Sequence, residues 1–179
     1  GEAQRYDEVM SAWLRRLAQL VTAGGADPLA KRYQAIAGLI AQWINAIPLY
    51  FQGGDLADPM KSRAAILREA LRAGGFQLDH EFPPRAGRKK VRLGVIQSQF
   101  SAQTETYASI PLFRDVSRGK FEVLLYALAE NGSAAEAQCK ALADRFVVLP
   151  PDIKAQAEAV RRDDLDVLFF GTNLTAVTH

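Results

Sequence analysis

Short apolar runs alternate with helical stretches from Val91 onward, and this alternation constrains the fold more than any other feature of the sequence. Four runs have the length and the Val, Leu and Phe content of buried strands: 91–96, 121–128, 146–149 and 165–170. Between them, helical patterns cover about 104–116 and 133–144, and a third opens at Asp152. Strand and helix in strict alternation are typical of parallel βαβ units. The sequence therefore predicts an α/β fold with a Rossmann-like parallel sheet over residues 91–179.

The alternation stops soon after the fourth run. Most sheets of this kind continue further, and the final residues have no helical pattern to enter. We therefore expect 91–179 to be the incomplete first half of a larger α/β domain.

Residues 1–75 differ in character, because their apolar residues recur at helical spacing. Three helices are predicted, ending at Gly24-Gly25, before Pro48 and at Gly74-Gly75. They would form a small all-α bundle or the end of a helical-repeat array, with Trp13 and Trp43 in its core. Asp58-Pro59 is expected to begin the third helix as cap and first residue.

Residues 76–90 contain two adjacent prolines and then a basic run that includes Arg88. Prolines disfavour a helix, and a basic run before a strand is usually solvated, so a linker is predicted. A phosphate-binding patch is the alternative.

The composition excludes several classes of partner. A formal net charge of +2 gives no electrostatic reason to expect nucleic acid. No apolar run has the roughly 18 residues that a membrane-spanning helix needs. The single cysteine, Cys139, excludes a disulfide framework and favours a reducing, cytoplasmic location.

Candidate functional residues follow the first and fourth strands, because ligands of open α/β sheets bind beyond the carboxyl ends of the strands. In the first loop, Glu105 and Thr104 either only cap the next helix or face a substrate cleft. The loop after the fourth strand is either plain turn chemistry or part of the same site. We expect Gln103 and Glu105 to contact the reacting group, and substrate to contact the remaining polar residues, which are Gln99, Thr104, Thr106, Thr172, Asn173 and Thr175.

Known cofactor motifs are missing from these loops. The turn after the first strand has no glycine for the approach of a pyrophosphate, which disfavours a dinucleotide enzyme, and a phosphate-binding P-loop is also absent. His80 and His179 have no Cys or His companions at ligand spacing, so neither a metal site nor a cofactor is predicted.

Three segments in order resemble the N-terminal catalytic lobe of the SPINDLY-type and protein O-GlcNAc transferase-like glycosyltransferases, which have a GT-B fold. Residues 92–100 are similar to the family's first strand and loop, and 120–126 to its second strand. Residues 109–111 match the helix between them, and 163–173 the fourth strand with its polar loop. The resemblance covers about half of the chain.

The resemblance implies transfer of a sugar to protein side chains without a metal ion. The sugar would be N-acetylglucosamine from UDP-GlcNAc, and the partners an acceptor protein or peptide and a nucleotide sugar. Residues 1–75 would then be the end of a helical, often tetratricopeptide-type, region, as in bacterial relatives. Because the donor site of this family lies mostly in a second lobe, the chain alone is expected to be inactive.

Two positions depart from the family. Relatives carry an acidic residue where this chain has Gln99, and a functional histidine where it has Gln103. An amide cannot replace imidazole in proton transfer, so a non-catalytic α/β binding module with a helical adaptor is the alternative. An unrelated α/β fold, such as a periplasmic-type sensor lobe, is a third alternative.

Overall fold

A computed structural model of the protein describes residues 2–23, 35–38, 40, 41, 43, 44, 55–79, 81, 82 and 87–171. The chain divides at residue 82 into two compact units, a helical unit and an α/β unit. Each has a hydrophobic core of its own. The assignment of 76–90 to a linker, and of the helices to a repeat array, stays a prediction.

The helical unit contains α1 (Glu2–Ala23) and α2 (Ala57–Ala73). Its buried apolar residues are Leu14, Val21, Ala37, Ala41 and Ile66. Part of the predicted second helix is described and is helical at 35–38, 40, 41 and 43, whereas the rest of it lies outside the described residues.

The expected burial of the two tryptophans is wrong. Trp13 is 40% exposed and Trp43 is 74% exposed. Leu14 is fully buried, and its neighbour Trp13 lies about 100° further around the helix, at the margin of the face that packs.

The ends of α2 follow local chemistry, although its start differs from the prediction. The helix begins at Ala57 rather than at Asp58-Pro59, with Leu56 as its N-cap residue, and Asp55 Oδ1 accepts a hydrogen bond of 2.8 Å from the Ala57 N–H. At the other end, Gly75 has a φ of 76°, and the N–H of Phe76 donates to the carbonyl of Leu71. This is the Schellman arrangement that the glycine pair predicts.

The α/β unit is built on four parallel strands in the order β3-β2-β1-β4. The strands are β1 (Val91–Gln97), β2 (Phe121–Ala127), β3 (Arg145–Val148) and β4 (Val167–Phe170). The connecting helices are α3 (Thr104–Arg114), α4 (Ala134–Leu142) and α5 (Ile153–Arg162). A Rossmann-like parallel sheet preceded by a helical segment is therefore confirmed.

Helices cover both faces of this sheet. Alternate residues of β2 point to opposite faces, as the pleat requires. Leu125 lies in a core with Phe113 of α3 and Cys139 of α4, whereas Tyr126 lies in a core with Val160 of α5. The chain thus crosses to the second face after β3, which brings β4 beside β1.

Two helix starts are confirmed in detail. Ser133 Oγ accepts from the Glu136 N–H at 3.2 Å, and Asp152 Oδ1 accepts from the Ala155 N–H at 2.9 Å. Ser133 and Glu136 have the spacing of a capping box, in which the Ser133 N–H would donate to Glu136. Here the Ser133 N–H donates to Asn131 Oδ1 instead, and Glu136 Oε2 accepts from the Asn131 N–H at 2.7 Å. Pro111 lies inside α3 without restarting it, since the helix runs unbroken to Arg114.

Candidate functional site

The carboxyl ends of the strands open onto loops that contain most of the predicted site. The loop after β1, residues 98–103, leads into α3, and its backbone is tied to the loop after β2, because the Ala129 N–H donates to the Ser98 carbonyl at 3.0 Å. Phe100 anchors the loop from below: it is fully buried and makes edge contacts with Phe113 and Phe146 at centroid distances of 6.4 and 5.6 Å. The loop is therefore held by a backbone hydrogen bond at Ser98 and by the packing of Phe100.

The carboxamide of Gln97 organises this edge from inside the protein. Gln97 is 2% exposed, and its Nε2 donates to Ser109 Oγ at 2.6 Å and to the carbonyl of Glu105 at 3.3 Å. Its Oε1 accepts from Thr106 Oγ1 at 3.1 Å. The Ser109 hydroxyl donates in turn to the carbonyl of Thr106 at 3.0 Å. These bonds join the end of β1 to the first turns of α3.

Gly171, which follows β4, packs against the same side chain. A Cβ at Gly171 would lie 2.6 Å from Gln97 Nε2 and 2.8 Å from its Cγ, so only glycine fits. The Gly171 N–H also donates to the carbonyl of Ile96 at 2.8 Å. Gln97 therefore links the two loops in which the sequence places candidate residues.

Gln103 occupies the N-cap position of α3, one residue earlier than predicted, and Thr104 is the first helical residue. The Gln103 side chain does not cap the helix. Its Nε2 instead donates to the carbonyl of Gln99 at 3.1 Å, which closes the loop on itself. Gln99 and Gln103 are thus neighbours in space.

Glu105 lies in the first turn of α3 and is half-buried, while Thr104 beside it is exposed. Neither side chain forms a hydrogen bond or ion pair with another residue in the described part of the chain. Glu105 is also the only ionisable side chain between Gln97 and Thr106. If a side chain between Gln97 and Thr106 exchanges a proton with a substrate, it is therefore the carboxylate of Glu105.

The predicted contact of Thr106 with a substrate is wrong, because such a contact requires an exposed side chain. It is fully buried, and its hydroxyl is bonded to Gln97. The predicted residues Thr172, Asn173 and Thr175 lie outside the described residues.

A pocket of about 380 Å³ opens at the same edge, toward α5. Its lining comes from the loops after β1, β2 and β3 and from α5 itself: Ser98, Gln99, Leu128, Ala129, Pro151 and Gln156. Gln156 Nε2 donates to the carbonyl of Pro150 at 2.8 Å. We call this hollow the α5 pocket.

Arg88, from the basic run before β1, lies at the amino ends of the strands, opposite the candidate site. Arg88 pairs with Asp164 at 3.2 Å and with Asp166 at 3.3 Å. Nearby, the Tyr126 hydroxyl donates to Asp163 Oδ2 at 2.6 Å, and burial together with this carboxylate raises the pKa of Tyr126 above its ordinary value. The contacts of Arg88 thus fasten the approach to β4, and they give no support to a phosphate site there.

Among the described residues, no group of three or more His, Cys, Asp or Glu side chains is arranged to hold a metal ion. None of the described helices combines the length and the apolar character that crossing a bilayer requires.

Sequence reasoning missed Gln97, Pro151 and Gln156. A signal for Gln97 existed, since a polar residue ends an otherwise apolar strand and hydroxyl residues follow at 106 and 109, one helical turn apart. No local signal marks Pro151 and Gln156, because they reach the site only through the crossover to the second face of the sheet.

Comparison with known proteins gives a likeness of fold. No family model and no curated protein sequence matches the chain. Among solved structures, the chain is similar to a mutant of the O-GlcNAc transferase of Thermobaculum terrenum, with a TM-score of 0.53 and 23% sequence identity. The match covers 89% of this chain and 30% of that protein, so the chain spans less than a third of its neighbour's length.

Proposed function

We propose that the chain is the acceptor-side lobe, with its preceding helical region, of a protein glycosyltransferase of the SPINDLY and O-GlcNAc transferase type. The whole protein would transfer N-acetylglucosamine from UDP-GlcNAc to protein side chains in the bacterial cytoplasm, without a metal ion. The observation that carries this proposal is a likeness of fold to an O-GlcNAc transferase over 89% of the chain.

The donor would bind outside this chain. The chain corresponds to 30% of the neighbouring structure, and its β1 loop has neither a cationic side chain nor a glycine-rich turn for a diphosphate. We therefore expect residues 1–179 alone to transfer no sugar.

In this proposal, Glu105 is the proton-exchanging group, because its carboxylate is half-buried and has no partner among the described residues. Gln103 holds the loop closed through the carbonyl of Gln99 and presents its remaining amide oxygen to the acceptor. Gln99 and Thr104 contact the acceptor directly. Thr106 supports them from below through Gln97. Thr172, Asn173 and Thr175 remain proposed substrate contacts.

One observation favours a second candidate, a non-catalytic binding module with a helical adaptor. The Gln103 carboxamide donates to a backbone carbonyl, and an amide neither gains nor loses a proton near neutral pH. A catalytic cycle that needs an imidazole at this position could not operate. The transferase requires proton exchange by Glu105, whereas the binding module requires no chemistry from this residue.

The test is a pair of variants in the natural protein that contains this chain. Glu105→Gln is expected to lower kcat by about 10² to 10⁴, the usual contribution of one general acid or base, with a smaller change in KM. Glu158→Gln is the matched control, because Glu158 is exposed on α5 and does not border the α5 pocket. The measurement is incorporation of labelled N-acetylglucosamine from UDP-GlcNAc into acceptor protein. Equal activity of both variants would remove Glu105 from the mechanism.

A further inference from the structure

Gly171 is held against a single side chain, and it is that side chain, rather than the backbone, which requires a glycine. The φ of Gly171 lies outside the left-handed region that favours glycine. An added Cβ would lie 2.6 Å from Gln97 Nε2, 2.8 Å from its Cγ and 3.1 Å from its Cδ, whereas van der Waals contact begins at about 3.5 Å. The residue that follows β4 therefore rests directly on the Gln97 carboxamide.

The carboxamide of Gln97 has one satisfied orientation. Both of its N–H groups are used, by Ser109 Oγ and by the carbonyl of Glu105, and its Oε1 accepts from Thr106. A reversed amide would place Oε1 against the Glu105 carbonyl, which cannot donate, and against Ser109 Oγ, whose hydrogen is directed to the Thr106 carbonyl. Because Gln97 is only 2% exposed, water cannot replace a lost partner. A push on this side chain is therefore passed on to α3.

We propose that Gln97 is a positioning residue that couples the residue after β4 to the first turn of α3. Gly171 packs on the carboxamide, and the carboxamide donates to the backbone of Glu105. The Glu105 side chain has no bond of its own to another described residue, so the backbone to which Gln97 is bonded determines where its carboxylate lies. A displacement of Gly171 toward β1 thus moves the carboxylate of Glu105.

In the proposed reaction, this coupling lets a substrate on one loop adjust the proton-exchanging group on the other. The proposed substrate contacts Thr172, Asn173 and Thr175 follow Gly171 in the chain. A misplacement of about 1 Å in a catalytic group can cost about 10²-fold in rate, so a small movement is sufficient. This consequence rests on the proposed function, whereas the coupling of Gly171 to α3 does not.

Gly171→Ala tests the coupling, because it adds one methyl group that pushes on Gln97. In isotope-labelled residues 1–179, we expect the side-chain amide NMR signals of Gln97 and the backbone amide signals of Glu105 and Ser109 to shift together. Phe170→Leu is the matched control. Phe170 adjoins Gly171, but it pairs with Ile96 and is 57% exposed on the opposite face of the sheet from Gln97, so these signals should stay near their parent positions.

A double variant separates the carboxamide from the backbone route, in which the Gly171 N–H donates to the Ile96 carbonyl. Gln97→Ala makes room for the added methyl group and removes the bonds to α3. In that background, Gly171→Ala should cause little further shift at Glu105 and Ser109. In the natural protein, Gly171→Ala alone should lower kcat by about ten- to hundredfold, with a smaller change in KM.

Three results would overturn the proposal. In the first, Gly171→Ala shifts neither set of signals, or shifts those of Gln97 alone. In the second, Phe170→Leu shifts the α3 signals as much as Gly171→Ala does. In the third, the α3 shifts persist in the Gln97→Ala background. If labelling of the buried Cys139 thiol shows that Gln97→Ala does not fold, the single variant and its control decide.

The NMR readout needs no sugar transfer, so the two proposals can fail separately. Unchanged transfer in Glu105→Gln would remove Glu105 from the mechanism and leave the coupling in place. Absence of the α3 shifts in a protein that transfers sugar would remove only the coupling.

Discussion

Replacement of Gln97 by leucine tests the buried bonds that hold the candidate site. Leucine fills similar space but cannot bond to Ser109, Thr106 or the carbonyl of Glu105. The Thr106 hydroxyl is fully buried and would lose its acceptor, which costs about 1 to 3 kcal/mol. With the lost bond to Ser109, worth about 1 kcal/mol, we expect Gln97→Leu to destabilise the α/β unit by about 2 to 4 kcal/mol.

The assay must report on the α/β unit. Both tryptophans, Trp13 and Trp43, belong to the helical unit, so their fluorescence follows the other half of the chain. Cys139 is fully buried in the α/β core, and the urea dependence of its labelling by a thiol reagent reports unfolding of that unit. Gln103→Leu is the control: its single bond to the Gln99 carbonyl is only half-buried, so a loss below about 1 kcal/mol is expected.

A double variant sharpens the test. In Gln97→Leu with Thr106→Val, no hydroxyl is left without an acceptor, so part of the lost stability should return, by about 1 kcal/mol or more. If Gln97→Leu costs no more stability than Gln103→Leu, or if the added Thr106→Val only destabilises the protein further, the bonds of Gln97 do not stabilise the α/β unit in this way.

Three further outcomes are expected. Gly94→Ala should destabilise the α/β unit by about 1 to 3 kcal/mol in urea, because the new Cβ would lie 2.5 Å from Leu165 Cδ1; wild-type stability would contradict the packing described. Glu136→Gln should lose stability above the ordinary carboxyl pKa but match the parent in acid, since hydrogen bonds from Lys140 and the Asn131 N–H lower the pKa of Glu136. Equal pH profiles of urea stability would refute this. The Cys139 thiol should resist alkylation at neutral pH until the protein unfolds, because burial raises its pKa, and rapid native-state labelling would disprove it.

The sequence was sufficient for the sheet and for features set by neighbours along the chain. The strands were predictable from their apolar runs, and the starts of α4 and α5 from Ser133 and Asp152, because a cap bonds within three residues. The parallel direction of the strands was also predictable, because alternating strands and helices permit few other topologies.

The site was harder to predict, because its contacts span distant parts of the chain. Gln97 could have faced either side of the sheet, and only the packing of α3 and Gly171 shows that its amide is enclosed. Thr106 was expected to face a substrate, yet its position in the second half of the first turn directs it to the strand beneath. Gln156 enters the α5 pocket only because α5 crosses to the second face of the sheet.

The central claim, that this chain is one lobe of a protein glycosyltransferase, is tested most directly by sugar transfer. The natural protein that contains the chain and residues 1–179 alone are each incubated with labelled UDP-GlcNAc and a lysate protein mixture, and label covalently attached to protein is counted. We predict attachment by the natural protein, release of UDP in equal amount, and no attachment by residues 1–179. No attachment by either protein, or equal attachment by both, would contradict the account.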